Sequence, residues 1–569
     1  MEVSKIKNWL LPAIFILALF VRLAYLYQVE PIPFSDTLTI DAKDEDSWGR
    51  EIAAGDWVGK EKGVFYRDPL YAYLLGTTYA VFGHKLWLIR VIQAVIDSTT
   101  CLLLYFLGRM IFNPAVGLTT ALLSSLYGPF IWYQGLIEKT TLMIFLTTLF
   151  LLATLRAIET PGKRQWFLSG LTLGLAVMTR GNMLIFAPAI IMFYLLSEKK
   201  LSSFPRRLIL MSIFFAGLMT VLIPVAVRNL VYGKAFVLTV PSIGLNFYIG
   251  NNPSAVGIHT PIPSLRTIPE KEAEDAASIA SMAVGKVLTP SEVSSFWLNK
   301  GVAFAEQEPD KFIILLGRKV LLFWNHYEVP DVYNYYFFRD MIPMLNLFLT
   351  FGIIAPLGIA GILISFKEFK KGRVVSGFII IYMASLVLFY ITSRYRLPGA
   401  LMLLPFASYT LVFIINSMRT QAYKKLLLTA VVLVPATLVV NMNILDERKL
   451  LSQSHSSMGD IYQQRGGFKE AIAEYQASLK LDPHNWDSAN NLAYLYARNG
   501  TRLEEALNLV QGALARNPGS PEMLDTLSLV YLKMGRVAEA KESILKAIAR
   551  DPRNSELSER LLEIEENLR

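Results

Sequence analysis

Long apolar stretches separated by short charged interruptions leave this chain few ways to fold. They lie at residues 9–27, 86–109, 114–132, 139–156, 208–227, 341–364, 374–392, 398–418 and 426–444. Each is long enough to cross a hydrocarbon layer ~30 Å thick, which takes about 20 helical residues. A further stretch, 166–197, is interrupted at Thr179-Arg180-Gly181-Asn182. Each of its halves makes about 22 Å of helix, so it reads as a helical hairpin with Arg180 near the tip. Counting that hairpin as two, the expected fold is all-α, a polytopic bundle of about eleven spans. Charged residues are only 18% of the 569 and hydrophobic ones 53%. A soluble protein carries about 25% charged residues, so a soluble enzyme and a disordered scaffold are both excluded. The single cysteine, Cys101, excludes an intrachain disulfide framework and a cysteine-based zinc site. Five scattered histidines without an HExxH pattern argue against a histidine metal centre.

Charge sets the orientation. The first stretch follows Lys5 and Lys7, and its exit, Arg22 to Tyr27, lacks a small-x-small cleavage site. It is read as a retained anchor. Basic residues then recur on alternate connections: Arg109; Arg156, Lys163 and Arg164; Lys199, Lys200, Arg206 and Arg207; Lys367, Lys370, Lys371 and Arg373; Arg419, Lys424 and Lys425. The positive-inside rule assigns these to the cytoplasm, with the N-terminus. The outer face receives loops 28–85 and 228–340, turns 133–139 and 393–397, and the tail from about 445. The expected location is a cytoplasmic (inner) membrane, with the tail periplasmic or extracellular. Two domains are expected, 1–445 in the membrane and 446–569 outside. From Asp446 onward there are 16 basic and 19 acidic residues, against 39 and 27 before it. That asymmetry points to basic loops on a membrane face and not to nucleic acid.

The tail repeats itself every 34–35 residues. Tyr462, Tyr496 and Tyr531 recur, as do Gly466, Gly500 and Gly535, then Ala471, Ala506 and Ala540, then Pro483, Pro518 and Pro552. Each unit reads helix, glycine turn, helix, proline stop, and resembles a tetratricopeptide repeat. Residues 556–569 read as a polar capping helix of the resulting α-solenoid. The resemblance implies a protein partner on the concave face, with a spacer or self-association role as the alternative.

The first outer loop carries Asp41, Asp44, Glu45 and Asp46 within six residues, then Arg50-Glu51-Ile-Ala-Ala-Gly55-Asp56-Trp57 and Phe65-Tyr66-Arg67-Asp68-Pro69. The pattern predicts a helix from about Asp44 to Ala54, ended by Gly55. A carboxylate just outside a membrane can take a proton from an acceptor hydroxyl, and a neighbouring arginine can neutralise a departing phosphate. A solvated acidic turn is the alternative. This run, following one N-terminal span, resembles the polytopic C-type glycosyltransferases, nearest to glycosyltransferase family 39, the protein O-mannosyltransferases and aminoarabinose transferases. The resemblance covers residues 1–230, and the later spans by topology. It implies that Asp41 is the catalytic carboxylate, with Asp44 and Asp46 as fallbacks in the crowded acidic pattern. It places Arg67 beside a donor phosphate and makes Glu138 a second acid, with stabilisation of a helix N-terminus as the alternative.

Arg180, Arg394 and Arg396 lie on outward turns and resemble arginine motifs of the same class, with Arg394 and Arg396 the stronger candidates for gripping phosphate; snorkelling is the alternative. Asn246 and Tyr248, in a Gly- and Asn-rich stretch, suit a sugar ring, and a packed loop explains them equally well. Asp97 within a span is a functional suspect or a helix-packing group. His326 is read as structural. Residues 269–283 read as an exposed helix, Thr289-Pro290-Ser291-Glu292 as a helix start, and Phe312–Phe323 as a membrane-lying helix.

The expected activity is transfer of one sugar from a polyprenyl-phosphate donor to a hydroxyl of a protein, lipid or glycan, inverting the anomeric centre. No cofactor is required on this reading; divalent Mg or Mn is left open by the clustered acids. The rivals are an oligosaccharide ligase using a lipid diphosphate donor, and a transporter or non-catalytic scaffold.

Overall fold

The computed structural model describes residues 9–196, 203–240, 242–260, 262, 265–266 and 269–567. Lys5, Lys7, Lys199 and Lys200 lie outside them. Among the described residues the regular structure is helical, apart from two isolated bridges, Tyr127 with Leu349 and Ile258 with Ile391. The chain divides into two compact units, Met1–Ile444 and Leu445–Arg569.

In the first unit, α1 (Leu10–Val29) is followed by α2 (Ile40–Ala53) and α3 (Leu70–Phe82). Helices α4 (Leu86–Ile111), α5 (Pro114–Ser125), α6 (Gly128–Gln134), α7 (Thr140–Glu159), α8 (Lys163–Val177), α9 (Phe186–Leu196) and α10 (Phe204–Gly233) come next. The long segment after α10 folds as α11 (Ile243–Gly250), α12 (Pro269–Val284), α13 (Pro290–Gln307), α14 (Pro309–Trp324) and α15 (Tyr335–Met341). The unit closes with α16 (Phe351–Ser365), α17 (Lys370–Val387), α18 (Ser393–Arg419) and α19 (Tyr423–Val440). Six of these, α1, α4, α7, α10, α18 and α19, are long and apolar enough to cross a membrane. Shorter apolar helices lie at Leu70–Phe82, Gly181–Leu196 and Phe351–Ser365.

The apolar pattern locates these elements, but two of the expected spans are shorter than their hydropathy suggests. The stretch 114–132 is split because the chain turns at Leu126–Tyr127, where Gly128 N and Leu349 N exchange bonds with Leu349 O and Leu126 O. The stretch 341–364 starts its helix only at Phe351, after a turn of 3-10 helix at Pro343–Leu347. The hairpin breaks where expected, with Arg180 in extended conformation between α8 and a 3-10 turn. Where α8 crosses α10, a Cβ at Gly170 or Gly217 would collide with the carbonyl of Phe214 or Phe167. Small residues permit this backbone contact, which in lipid substitutes for a hydrophobic driving force. At the start of α13, Thr289 and Glu292 form a capping box, as Thr-Pro-Ser-Glu announces.

The second unit comprises α20 (Glu447–Gln464), α21 (Phe468–Leu481), α22 (Trp486–Arg498), α23 (Leu503–Arg516), α24 (Pro521–Lys533), α25 (Val537–Arg550) and a closing α26 (Ser555–Glu566). Each pair turns at Gly466, Gly500 or Gly535, whose φ of +78°, +64° and +76° suits glycine. Ala471, Ala506 and Ala540 are fully buried, so the paired helices meet closely there. Tyr475, Leu492, Tyr496 and Val510 fill the space between successive units.

Candidate functional site

Asp41 occupies the first turn of α2, directly after Ile40, a β-branched residue held at φ +43°. Such a conformation is costly and persists where surrounding structure imposes it, often beside a functional group. Two cations grip the carboxylate. Arg67 Nη2 donates to Asp41 Oδ1 at 2.6 Å and Arg394 Nη1 to Asp41 Oδ2 at 2.8 Å. Arg67 also holds Asp44 at 2.7 Å, and Arg394 approaches Glu138 at 3.4 Å and pairs with Asp331. Lys139 completes the group with a 3.0 Å bond to Asp68.

Separate elements aim these side chains. Pro69 opens α3 just after Arg67, and Leu70 N bonds Met178 O of the hairpin. The turn that carries Glu138 is pinned by Gln93, whose amide donates to Gln134 O at 2.6 Å and Leu136 O at 2.8 Å. Arg90 donates to Gly135 O at 2.8 Å, and Tyr25 to Trp132 O at 3.1 Å. Arg394 lies in the first turn of α18, capped by Thr392 and anchored by Ser393 N on Val329 O at 2.8 Å. Just before it, Gly250 packs so closely on Phe389 O that a Cβ would collide there.

The charges tune one another. Burial alone would raise the Asp41 carboxyl, but Arg67 and Arg394 overcome it and hold the group well below the usual carboxylate range. Glu45, one turn further along α2, is buried, and neither carboxyl oxygen has a hydrogen-bond partner. Burial pushes it up to about 7, against the opposing pull of Lys139 and Arg67. Burial likewise pushes Glu138 up to about 7, against Arg394.

Asp41, Arg67, Arg180, Asn246 and Arg394 line one cavity of about 860 Å³, whose other walls include Ile185, Pro188, Leu386 and Leu388. Arg180 lies with its guanidinium 3.4 Å from the Tyr395 ring centre. Among the described residues no carboxylate stands within ion-pair distance of it. A second cavity, of about 460 Å³, is lined by Asp44, Trp48, Phe65 and Trp297. Tyr66 and Arg67 line both.

Three expected site residues lie elsewhere. Arg396 is two positions beyond Arg394, about 200° around the helix, and so faces away from the cavity. It is buried against Glu328 at 2.8 Å, over the Phe351 ring and beside the carbonyl of Phe323 at 3.3 Å. The same spacing separates Asn246 from Tyr248 on α11: Asn246 lines the larger cavity, whereas Tyr248 packs on Trp297 at 5.2 Å and lines neither. Asp46, a fallback base, is occupied by Tyr79 at 2.7 Å, His84 at 2.8 Å and Arg50 at 3.0 Å, away from both cavities. Asp44 stays in the cluster but on the smaller cavity. Asp97 pairs with Arg22 at 3.5 Å. Tyr336 donates to the backbone carbonyl of His326 at 3.1 Å.

Sequence reasoning missed Glu45, Asp68, Lys139 and Asp331 as members of the cluster. Lys139 and Asp68 adjoin predicted site residues, and Glu45 follows Asp41 by one helical turn, so position alone signals those three. Asp331, in a connection after α14, carries no such signal. Among the described residues no three acidic, histidine or cysteine groups converge as a metal ligand set. The Asp41, Asp44 and Asp68 carboxylates are each met instead by a guanidinium or ammonium.

Comparison with known proteins finds likenesses in both units. The archaeal oligosaccharyltransferase AglB from Archaeoglobus fulgidus, in complex with an inhibitory peptide and a dolichol-phosphate, is 16% identical. The match covers 81% of this chain and 59% of that one, with a TM-score of 0.43. ArnT from Cupriavidus metallidurans bound to undecaprenyl phosphate is 12% identical, covering 95% of this chain and 80% of that one, with a TM-score of 0.44. The photosystem I assembly protein Ycf3 of Prochlorococcus marinus (strain NATL1A) is 33% identical over 104 residues, 18% of this chain. The chain spans about 60% of the length of such curated relatives. Residues 457–521 and 501–562 match tetratricopeptide repeat families. Residues 67–230, from the arginine that grips Asp41 to the last turn of α10, match the family described as dolichyl-phosphate-mannose-protein mannosyltransferase.

Proposed function

We propose that this chain is a membrane glycosyltransferase that takes one sugar from a polyprenyl-phosphate donor and passes it to an acceptor hydroxyl at the outer face of a cytoplasmic membrane. One observation carries the reading: the Asp41 carboxylate, clamped by Arg67 and Arg394, opens onto a largely apolar cavity that also holds Arg180, which has no acidic partner among the described residues. An apolar wall suits a prenyl chain and the unpaired arginine suits its phosphate. The family matched by residues 67–230 supports a phosphoprenyl sugar donor.

Chemically, the acceptor oxygen attacks the anomeric carbon, the bond from that carbon to the phosphate oxygen breaks, and the electron pair leaves with the phosphate. The acceptor proton passes to Asp41. In the resting clamp Asp41 is a weak base because two guanidiniums hold its anionic form. A phosphate brought beside Arg394 and Arg67 competes for those cations and restores basicity to the carboxylate when substrate is present. Attack opposite the departing phosphate inverts the anomeric centre. Glu138, near neutrality in its own titration, sets how far Arg394 is drawn from Asp41. The acceptor is a protein or glycan hydroxyl, approaching from the smaller cavity across Arg67, and the repeats recruit a protein partner. With the leaving charge carried by arginines, no divalent cofactor is needed.

The test is transfer from a panel of polyprenyl-phosphate sugars by purified protein in lipid nanodiscs, with and without EDTA. Wild type transfers one sugar, undiminished by EDTA, and Asp41→Asn does not. Transfer of a preassembled oligosaccharide from a diphosphate carrier, or equal activity of Asp41→Asn, overturns the reading.

A further inference from the structure

The larger cavity contains polar groups that the transfer step above leaves unused. Tyr66, His259 and Glu272 line it together with Asn246 and Tyr390. The Tyr66 hydroxyl donates to Glu272 Oε2 at 3.3 Å. His259 stands edge-on to the Tyr390 ring at 5.0 Å, and the Tyr390 hydroxyl donates to Asn246 Oδ1 at 2.8 Å. The Asn246 amide nitrogen gives one bond to Ser242 O at 2.9 Å, and its second N–H has no partner among the described residues. Hydroxyl, imidazole, carboxylate and amide thus gather on one wall beside aromatic rings, the set of groups that recognises a polyhydroxylated ring.

Charge narrows the ligand. Of the charged side chains lining this cavity, Asp41, Arg67, Arg394 and Asp331 pair among themselves, Asp68 pairs with Lys139, and Arg266 pairs with Asp275. Among the described residues, two are left without an opposite charge within ion-pair distance: Arg180 and Glu272. A ligand with one phosphate satisfies Arg180. At the Glu272 end it must offer hydrogen-bond donors, because a second anion there meets a partly buried carboxylate with no ion-pair partner among the described residues; His259, Tyr66 and Arg67 ease its charge from nearby, and Asp41 opposes it.

Resting on the donor reading above, we propose that Glu272, with Tyr66, His259 and Asn246, forms the sugar-recognition wall of this cavity and selects a neutral pyranose over a uronate. Glu272 is a specificity-determining residue. Tyr66 orients its carboxylate, and the unpartnered Asn246 N–H reads a ring hydroxyl.

The experiment uses the full chain in nanodiscs with hexosyl- and hexuronyl-phosphopolyprenols matched in gluco, manno and galacto configuration, so that each pair differs only at C6. Wild type prefers the hexosyl member of the productive pair by about 100-fold or more in kcat/KM, the scale of a like-charge contact. Glu272→Gln, which keeps the shape and loses the charge, narrows that preference about tenfold or more. Tyr66→Phe keeps the charge, so it retains the preference and raises KM for the hexosyl donor; it supplies a second readout if Glu272→Gln folds poorly. An unchanged preference in Glu272→Gln, or equal use of both members by wild type, overturns the inference while leaving the transferase reading intact. Transfer from none of the donors overturns the transferase reading itself.

Discussion

The two units of this chain use charge in opposite ways. In the repeat unit many ion pairs are local and solvent-facing: Arg536 with Glu539, Arg502 with Glu505, and Lys546 with Glu542 join residues three or four apart along the chain. In the first unit the pairs that matter are enclosed and join distant segments. Arg394 reaches Asp41 across 353 positions, and Arg396 reaches Glu328 from a different element. Exposed pairs contribute little because water and mobile side chains dilute them, whereas removing one partner of an enclosed pair strands a charge. Sequence-local electrostatics therefore decorate the solenoid, and long-range electrostatics hold the candidate site of the first unit in register.

Perturbations of very different size test that contrast. The largest effect falls on Asp41→Asn, which lowers kcat for sugar transfer by about 10²–10⁴-fold, the usual contribution of a general base, while the circular dichroism of the purified protein is unchanged. Next is Arg396→Ala. Stranding Glu328 costs about 3–5 kcal/mol, read as a large drop in thermal stability in nanodiscs, whereas Arg536→Ala leaves the melting temperature within error. Equal shifts for the two would break the comparison. On the proposed reading, Arg180→Ala removes a charged partner of the donor phosphate and raises donor KM by roughly 10–100-fold, as loss of a charged hydrogen bond predicts, with a smaller change in kcat. A loss confined to kcat would instead attach Arg180 to the chemical step.

The smallest effect is a pH slope. Glu45 and Glu138 release their protons at about 7 when folded, against an ordinary value of 4.5. Between those values the folded chain binds more protons than the unfolded one, so stability falls as pH rises from about 4.5 and levels off above 7. Asp41 works the other way: its depressed folded value adds stability above the ordinary carboxylate range, and that stability is lost as pH falls through it. Melting temperatures from pH 5 to 8 should decline in wild type, and Glu45→Gln with Glu138→Gln should flatten the slope. An unchanged slope in the double variant would mean that these acids do not share the strained electrostatics of the cluster.

The same contrast explains what could be read from the sequence. The solenoid was legible down to Gly500 and Ala506 because its contacts recur within one period. Most bundle helices were legible because lipid demands long apolar runs; the break at Leu126–Tyr127 was not, since the partner it bonds, Leu349, lies far along the chain. Asp41, Arg67, Arg180, Asn246 and Arg394, which line one cavity, could be singled out because each sits in a connection or near a helix start. Arg396 and Tyr248 were misplaced by treating neighbours in a motif as neighbours in space, although helical geometry turns every second residue away. Asp331 is a residue of a long connection with no periodic or compositional mark, and only folding brings it to Arg394.

Arg67 stands in the partition between two chambers and contributes to the lining of both. On the proposed reading, whatever occupies one compartment touches a guanidinium that also faces the other. Lipid carrier and acceptor would thus sense each other's arrival, and trimming this side chain would open a passage through which water intercepts the activated sugar, leaving an enzyme that squanders its donor by hydrolysis.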